Sequence, residues 1–116
     1  MPMITAEALP HFENMIYLPM LLTILSRDKE RLAGVKLSKP YLKLIDSALD
    51  KIHNDLHETQ VYMKRHQLKL IKGDVDETFT GFIFIHGGYE DHRRYLNVRL
   101  KNRTEELIEV YFGVAK

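Results

Sequence analysis

Between Phe12 and Leu32, the apolar residues Met15, Leu18, Leu22, Leu25 and Leu32 return at the spacing of one helical face. Pro19 falls inside this run. It lacks a backbone donor and crowds the preceding turn, so the pattern predicts a helix kinked there and ending near Ala33 and Gly34. After a short connector, Ser38 followed by Pro40 makes a helix start, and a second helix runs to about His66. Leu42, Ile45, Leu49, Ile52, Leu56 and Met63 keep a heptad-like repeat along it, with Thr59 in the remaining slot. Matching periods and a short connector predict that the two helices pack antiparallel as a hairpin.

The period then changes. Leu68, Leu70 and Val75 flank a Lys72-Gly73-Asp74 turn signal, and Thr78 to His86 is rich in β-branched and aromatic residues, which together read as a β-hairpin. The Phe82-Ile83-Phe84-Ile85 run is also compatible with a short buried helix. From Tyr89 onward, Tyr89, Leu96, Leu100, Leu107 and Tyr111 fall on one side of a third helix that stops near Gly113. On this reading Gly87-Gly88 joins a strand to a helix. Residues 1–11 hold two prolines and no sustained period, and read as a flexible or loosely docked lead-in. The fold class is therefore α+β, mainly α. It comprises an antiparallel helical hairpin, a short β-hairpin and a C-terminal helix, in one domain spanning residues 12–116.

Composition narrows the function classes. A chain of 116 residues can bury a core as a single domain. It has no cysteine, which excludes disulfides, thiolate metal sites and cysteine nucleophiles and fits a reducing compartment, so the expected location is cytoplasmic. The longest strongly apolar run, Met15 to Leu25, is far short of the roughly 20 residues a membrane span needs, and no membrane association is expected. With 17 basic and 16 acidic residues there is no overall field that would mark a nucleic-acid binder. Any such role must come from local clustering.

The segments IYLPMLLTILSRD at 16–28, PYLKLIDSALDKI at 40–52, YMK at 62–64 and FTGFIFIHGGYEDH at 79–92 resemble the small YhjD-like proteins of spore-forming bacteria. The resemblance covers nearly the whole chain. It implies no established activity, and none of these segments carries a mechanism, so site residues have to be argued from their own chemistry.

Four constellations offer chemistry. Asp46, Asp50, His53 and His57 lie on one flank of the second helix, where His53 and His57 at i, i+4 spacing could share a metal with Asp50 nearby, although nothing fixes a further ligand. At Gly87-Gly88 exposed backbone donors could meet an anion, but Glu90 and Asp91 already occupy that end. Two stretches are basic without an acid: Lys64, Arg65, Lys69 and Lys72, and then Arg93, Arg94, Arg99, Lys101 and Arg103. If they converge, they form a nucleic-acid contact surface. Arg103 projects between Leu100 and Leu107, where it would need a carboxylate, with Asp46 or Asp50 of the second helix as the expected ion-pair partner.

The first helix carries a further signal. Its side opposite the expected core stripe holds Tyr17, Met20, Leu21 and Ile24, so it is apolar nearly all round. Such a helix must be covered on both sides, and a second copy of the chain would do so. The reading reached is a small cytosolic, non-enzymatic interaction or regulatory protein acting as a homodimer through that side, with no cofactor implied. A further protein partner is left open. The alternatives are a nucleic-acid-binding module using residues 64–72 and 93–103, and a metal-dependent helical protein using His53 and His57.

Overall fold

Helix α1 runs from Leu9 to Leu32 and continues across Pro19, whose ring lies on the exposed side. The structure, a computed structural model, describes residues 3–114. Helix α2 (Lys39–Arg65) folds back against α1 as the expected antiparallel hairpin. Leu18, Leu21 and Leu25 of α1 and Ile45, Ala48 and Ile52 of α2 are sealed from water in the seam. The C-terminal helix, α3 (Asn97–Phe112), closes one side of this seam with Leu107, Ile108 and Tyr111. The Tyr111 hydroxyl donates to Asp55 Oδ2 at 2.5 Å, tying α3 to α2. Burial first, and then this bond to the carboxylate, push the Tyr111 phenol well above its ordinary range.

The chain between α2 and α3 makes three antiparallel strands, β1 (Leu68–Val75), β2 (Phe79–His86) and β3 (Tyr89–Leu96), in the order β1-β2-β3. The α+β architecture therefore stands, with one strand more than expected. Tyr89 to Leu96 is β3 and not the opening of the third helix. Gly87-Gly88 joins two strands, since His86 pairs with Tyr89 across a two-residue loop in which Gly87 has φ +59. A positive φ at the first loop position is the type II′ requirement that glycine meets without strain.

Register explains why this strand escapes notice. Tyr89, Asp91, Arg93 and Tyr95 stand opposite His86, Phe84, Phe82 and Thr80, on the face that packs against the helices. Two of these inward residues are charged, so the apolar alternation that marks a strand is missing. They are accommodated by each other: Arg93 Nε donates to Asp91 Oδ2 at 2.8 Å, and its guanidinium lies 4.7 Å from the Phe84 ring centre.

The first strand connection is also displaced from its expected place. Lys72-Gly73-Asp74 is an irregularity within β1, where pairing slips between Lys72 and Val75. The turn lies at Asp76–Thr78. There Asp76 Oδ1 accepts the backbone N–H groups of Thr78 (2.8 Å) and Phe79 (2.7 Å), which hold its carboxyl below the usual range. Asn97 locks the turn to α3. Its side chain accepts from the Thr80 hydroxyl at 2.7 Å and donates to the Asp76 carbonyl at 2.9 Å.

The sheet packs on the open end of the helical hairpin, where Phe12, Ile16, Tyr17, Met63, Leu68, Phe82, Phe84 and Leu100 form a second core. Before α1 the chain is more engaged than a loose lead-in would be: Ala8 is buried, Ile4 packs on this core, and the Ala8 N–H donates to Thr5 Oγ1 at 3.1 Å. Residues 1 and 2 of that expected lead-in lie outside the described residues.

At the same end the His11 ring stacks on Tyr62 at 3.7 Å, and Tyr62 meets His66 at 4.1 Å. Burial, and then the neighbouring His66, lower the His11 pKa. A histidine depressed in the folded state contributes stability that is present above its unfolded value of about 6.5 and is lost as pH falls through that value toward the depressed one. The melting temperature should accordingly drop between about pH 7.5 and about pH 5.5, and His11→Gln should flatten the slope. Calorimetry at matched ionic strength checks this; an identical slope in the variant removes His11 as the cause.

Candidate interaction surface at the hairpin tip

The connector between α1 and α2 is short enough that Leu37 is forced to φ +58. A non-glycine residue held there costs about 1–2 kcal/mol relative to ordinary backbone. The same leucine is 87% exposed, so its side chain recovers nothing from the chain's own core. Val35, Tyr41 and Leu44 beside it are also exposed. Backbone strain and exposed apolar surface at one position are the combination expected where a side chain is used outside its own chain.

On either side of the Leu37 connector, residues of α1 and α2 join the end of α3 around an open pocket of about 380 Å³. Leu25 and Leu32 of α1, Ile45 of α2 and Ile108 and Phe112 of α3 form its walls, with Tyr41 and Leu44 at the mouth. α3 stops beside it at Phe112, with Gly113 in the left-handed conformation that ends a helix. Its charged rim is Asp28 and Arg31, 3.9 Å apart.

The two lips of the pocket carry opposite charge. Residues 36–43 hold Lys36, Lys39 and Lys43 and no acid, at the positive end of the α2 dipole. On the other side, the C-terminal half of α3 carries exposed Glu105 and Glu109, and its last turn has no basic residue to offset the negative dipole end.

The residues proposed from sequence are distributed differently. Tyr17 (6% exposed) and Leu21 (0%) are consumed in the chain's own core and cannot meet a partner in a folded dimer, because α1 has α2, α3 and the sheet on three sides. Met20 and Ile24 remain half-buried; both border a shallow depression with Pro19 and Thr23, and Met20 also lines a groove of about 430 Å³ between α1 and the sheet with Leu70, Phe82 and Leu100. Arg103 is also not where its stripe position implied. It lies on the flank of α3 with its side chain 52% exposed and donates to Glu106 Oε2 at 3.0 Å, while Asp46 accepts from Lys29 at 2.7 Å and Asp50 is exposed. The third helix begins only at Asn97, and its buried line runs through Leu100 and Thr104 and so passes beside Arg103.

His53 and His57 stand exposed on α2, and among the described residues no group of three or more histidines and carboxylates is close enough to hold a metal. The residues of the two basic stretches are spread over four elements, although Lys72 and Arg93 share a row of the sheet on either side of Phe82. Lys69 and Lys72 are on β1, Arg93 and Arg94 on β3 with β2 between them, Lys64 and Arg65 end α2, and Arg99 and Lys101 belong to α3. Arg93 is tied to Asp91, and Arg94 lies 4.0 Å over the Phe79 ring and 3.9 Å from Asp76. Sequence reading missed Leu37 although the signal was present: Val35 and Leu37 are apolar residues in a connector where turn chemistry calls for polar ones.

No helix among the described residues is long and apolar enough to cross a membrane. The profile of the family described as YhjD protein matches residues 3–116. The chain is 34% identical over 116 residues to the uncharacterized protein YhjD of Bacillus subtilis (strain 168), a match covering 96% of this chain and 94% of that relative. No solved structure matches it. A profile match over nearly the whole chain, together with this level of identity to the Bacillus protein, means that the chain belongs to the YhjD family.

Proposed function

We propose that the protein acts by association and not by catalysis, as a cytoplasmic homodimer joined at the hairpin tip. The observation that carries this reading is the pairing of a knob and a hole on one surface: strained, exposed Leu37 beside an apolar pocket. In a two-fold arrangement each Leu37 enters the pocket of the other copy. Charge supports a second copy over an unrelated partner. With the two-fold axis placed across the line joining the lips, the lysine lip of each chain faces the glutamate lip of the other.

Sedimentation velocity over a concentration series tests it with Leu37→Asn. Asparagine adopts a positive φ more readily than leucine, so the monomer should keep or gain stability while the dimer is lost. Lys39→Glu should weaken association, and adding Glu109→Lys should restore part of it. A wild type that stays monomeric throughout the series, or a Leu37→Asn protein that dimerises unchanged, overturns the proposal.

A further inference from the structure

Another pocket, of about 400 Å³, lies where α1, the end of β3 and the start of α3 meet. Its walls are polar and arranged by helical spacing. Glu13 and Tyr17 are one turn apart on α1, and Arg99 and Arg103 are one turn apart on α3. Arg103 is engaged by Glu106 at 3.0 Å. Arg99 and Glu13 are not engaged: among the described residues neither makes an ion pair or a side-chain hydrogen bond, and although they line one pocket they do not close on each other. A guanidinium and a carboxylate held apart across an open volume leave room for a molecule that carries both complementary charges.

Tyr17 adds an independent observation. The residue is 6% exposed, yet its hydroxyl has no hydrogen-bond partner among the described residues. Since no fully buried side-chain polar atom among those residues lacks a partner, this hydroxyl keeps accessible surface, and Tyr17 is one of the residues that line the pocket. Burial first, and then Glu13, raise the pKa of Tyr17, and the same two causes in the same order raise that of Tyr95, so both phenols stay protonated donors at neutral pH.

The charges restrict the ligand class. A phosphate or dicarboxylate would find one uncommitted cation and be repelled by Glu13, and a polyamine would be repelled by Arg99. We propose that this pocket binds a free amino acid, its carboxylate on Arg99 and the Tyr17 hydroxyl and its ammonium on Glu13. Opposite charges at the two ends and a volume of this size suit such a zwitterion, and the pocket lies within the range of small-molecule sites. This site is separate from the hairpin tip and does not depend on the dimer.

The test is a panel of the twenty free L-amino acids titrated into the ¹⁵N-labelled protein, followed by calorimetry with whichever binds best. At least one should shift the amides of Glu13, Tyr17, Tyr95 and Arg99, and its N-acetyl and carboxamide derivatives should each bind about tenfold or more weakly, one lost charge contact apiece. Tyr17→Phe is the sharpest variant. It removes a hydroxyl with no intramolecular bond, so melting should be unchanged while affinity falls several-fold. Arg99→Gln and Glu13→Gln should each weaken binding without unfolding the chain. If none of the twenty perturbs these amides, if the N-acetyl form binds as well as the free amino acid, or if Tyr17→Phe leaves affinity unchanged, the assignment is wrong.

Discussion

Phe84→Ala should lower the unfolding free energy by about 3–5 kcal/mol, the largest loss expected from any single truncation in this chain. Phe84 is 0% exposed and central to β2, with its ring stacked on Phe12 at 4.5 Å and 3°. Tyr95 approaches from β3 at 6.5 Å, and the Arg93 guanidinium lies against the same ring. Removing it leaves a void bounded by α1, the sheet and a charged group that had an aromatic face to rest on. Relaxation is limited because Phe12 and Phe82 are themselves locked by their strand and helix. Urea denaturation at neutral pH measures the loss. Phe79→Ala, on the outer face of the sheet beneath Arg94, is the control and should lose much less. A Phe84→Ala protein within about 1 kcal/mol of wild type would mean that the sheet is not anchored through this ring.

Leu21→Ala should cost about 2–5 kcal/mol, while Ile24→Ala costs clearly less. The two residues lie close together on α1 and look equivalent in the sequence, but Leu21 is 0% exposed and packs in the hairpin seam, whereas Ile24 is half-buried beside Pro19. Denaturation of both variants, with sedimentation to follow association, separates core from surface on this helix. If the two were equally destabilised, or if Leu21→Ala dissociated a dimer without loss of stability, the far side of α1 and not the tip would be the contact surface.

The helical hairpin was legible because α2 repeats its apolar positions over 27 residues, long enough for the period to be unambiguous. The sheet was legible only in part. Eight-residue strands give little period to read, and β3 turns Asp91 and Arg93 inward, where their mutual bond replaces hydrophobicity as the reason for burial. Arg103 shows the opposite error. Starting the third helix at Tyr89 placed the apolar stripe across it, and the correct start at Asn97 moves the stripe toward Thr104. α1 is apolar nearly all round, as read, but its cover comes from within: Leu21 is sealed in the seam with α2, and Tyr17 lies in the core that the sheet and Leu100 help to form. The two pockets were out of reach because each is assembled from elements distant in sequence, although apolar Val35 and Leu37 in the connector left a signal at the tip.

β1 and β3 are the outer strands of the sheet, each with one row of backbone groups facing away from β2. Rows of this kind can template the addition of further chains, the first step toward fibrils. In β1 the sequence is LKLIKGDV, which would be a strongly aggregation-prone segment without Lys69, Lys72 and the pairing slip before Val75. In β3 the run from Glu90 to Arg94 leaves no neutral pair for an incoming strand to match. Charged residues in these two outer strands are of the kind that disfavours edge-to-edge strand pairing. They disfavour open-ended strand addition, a mode of assembly that has no natural stopping size.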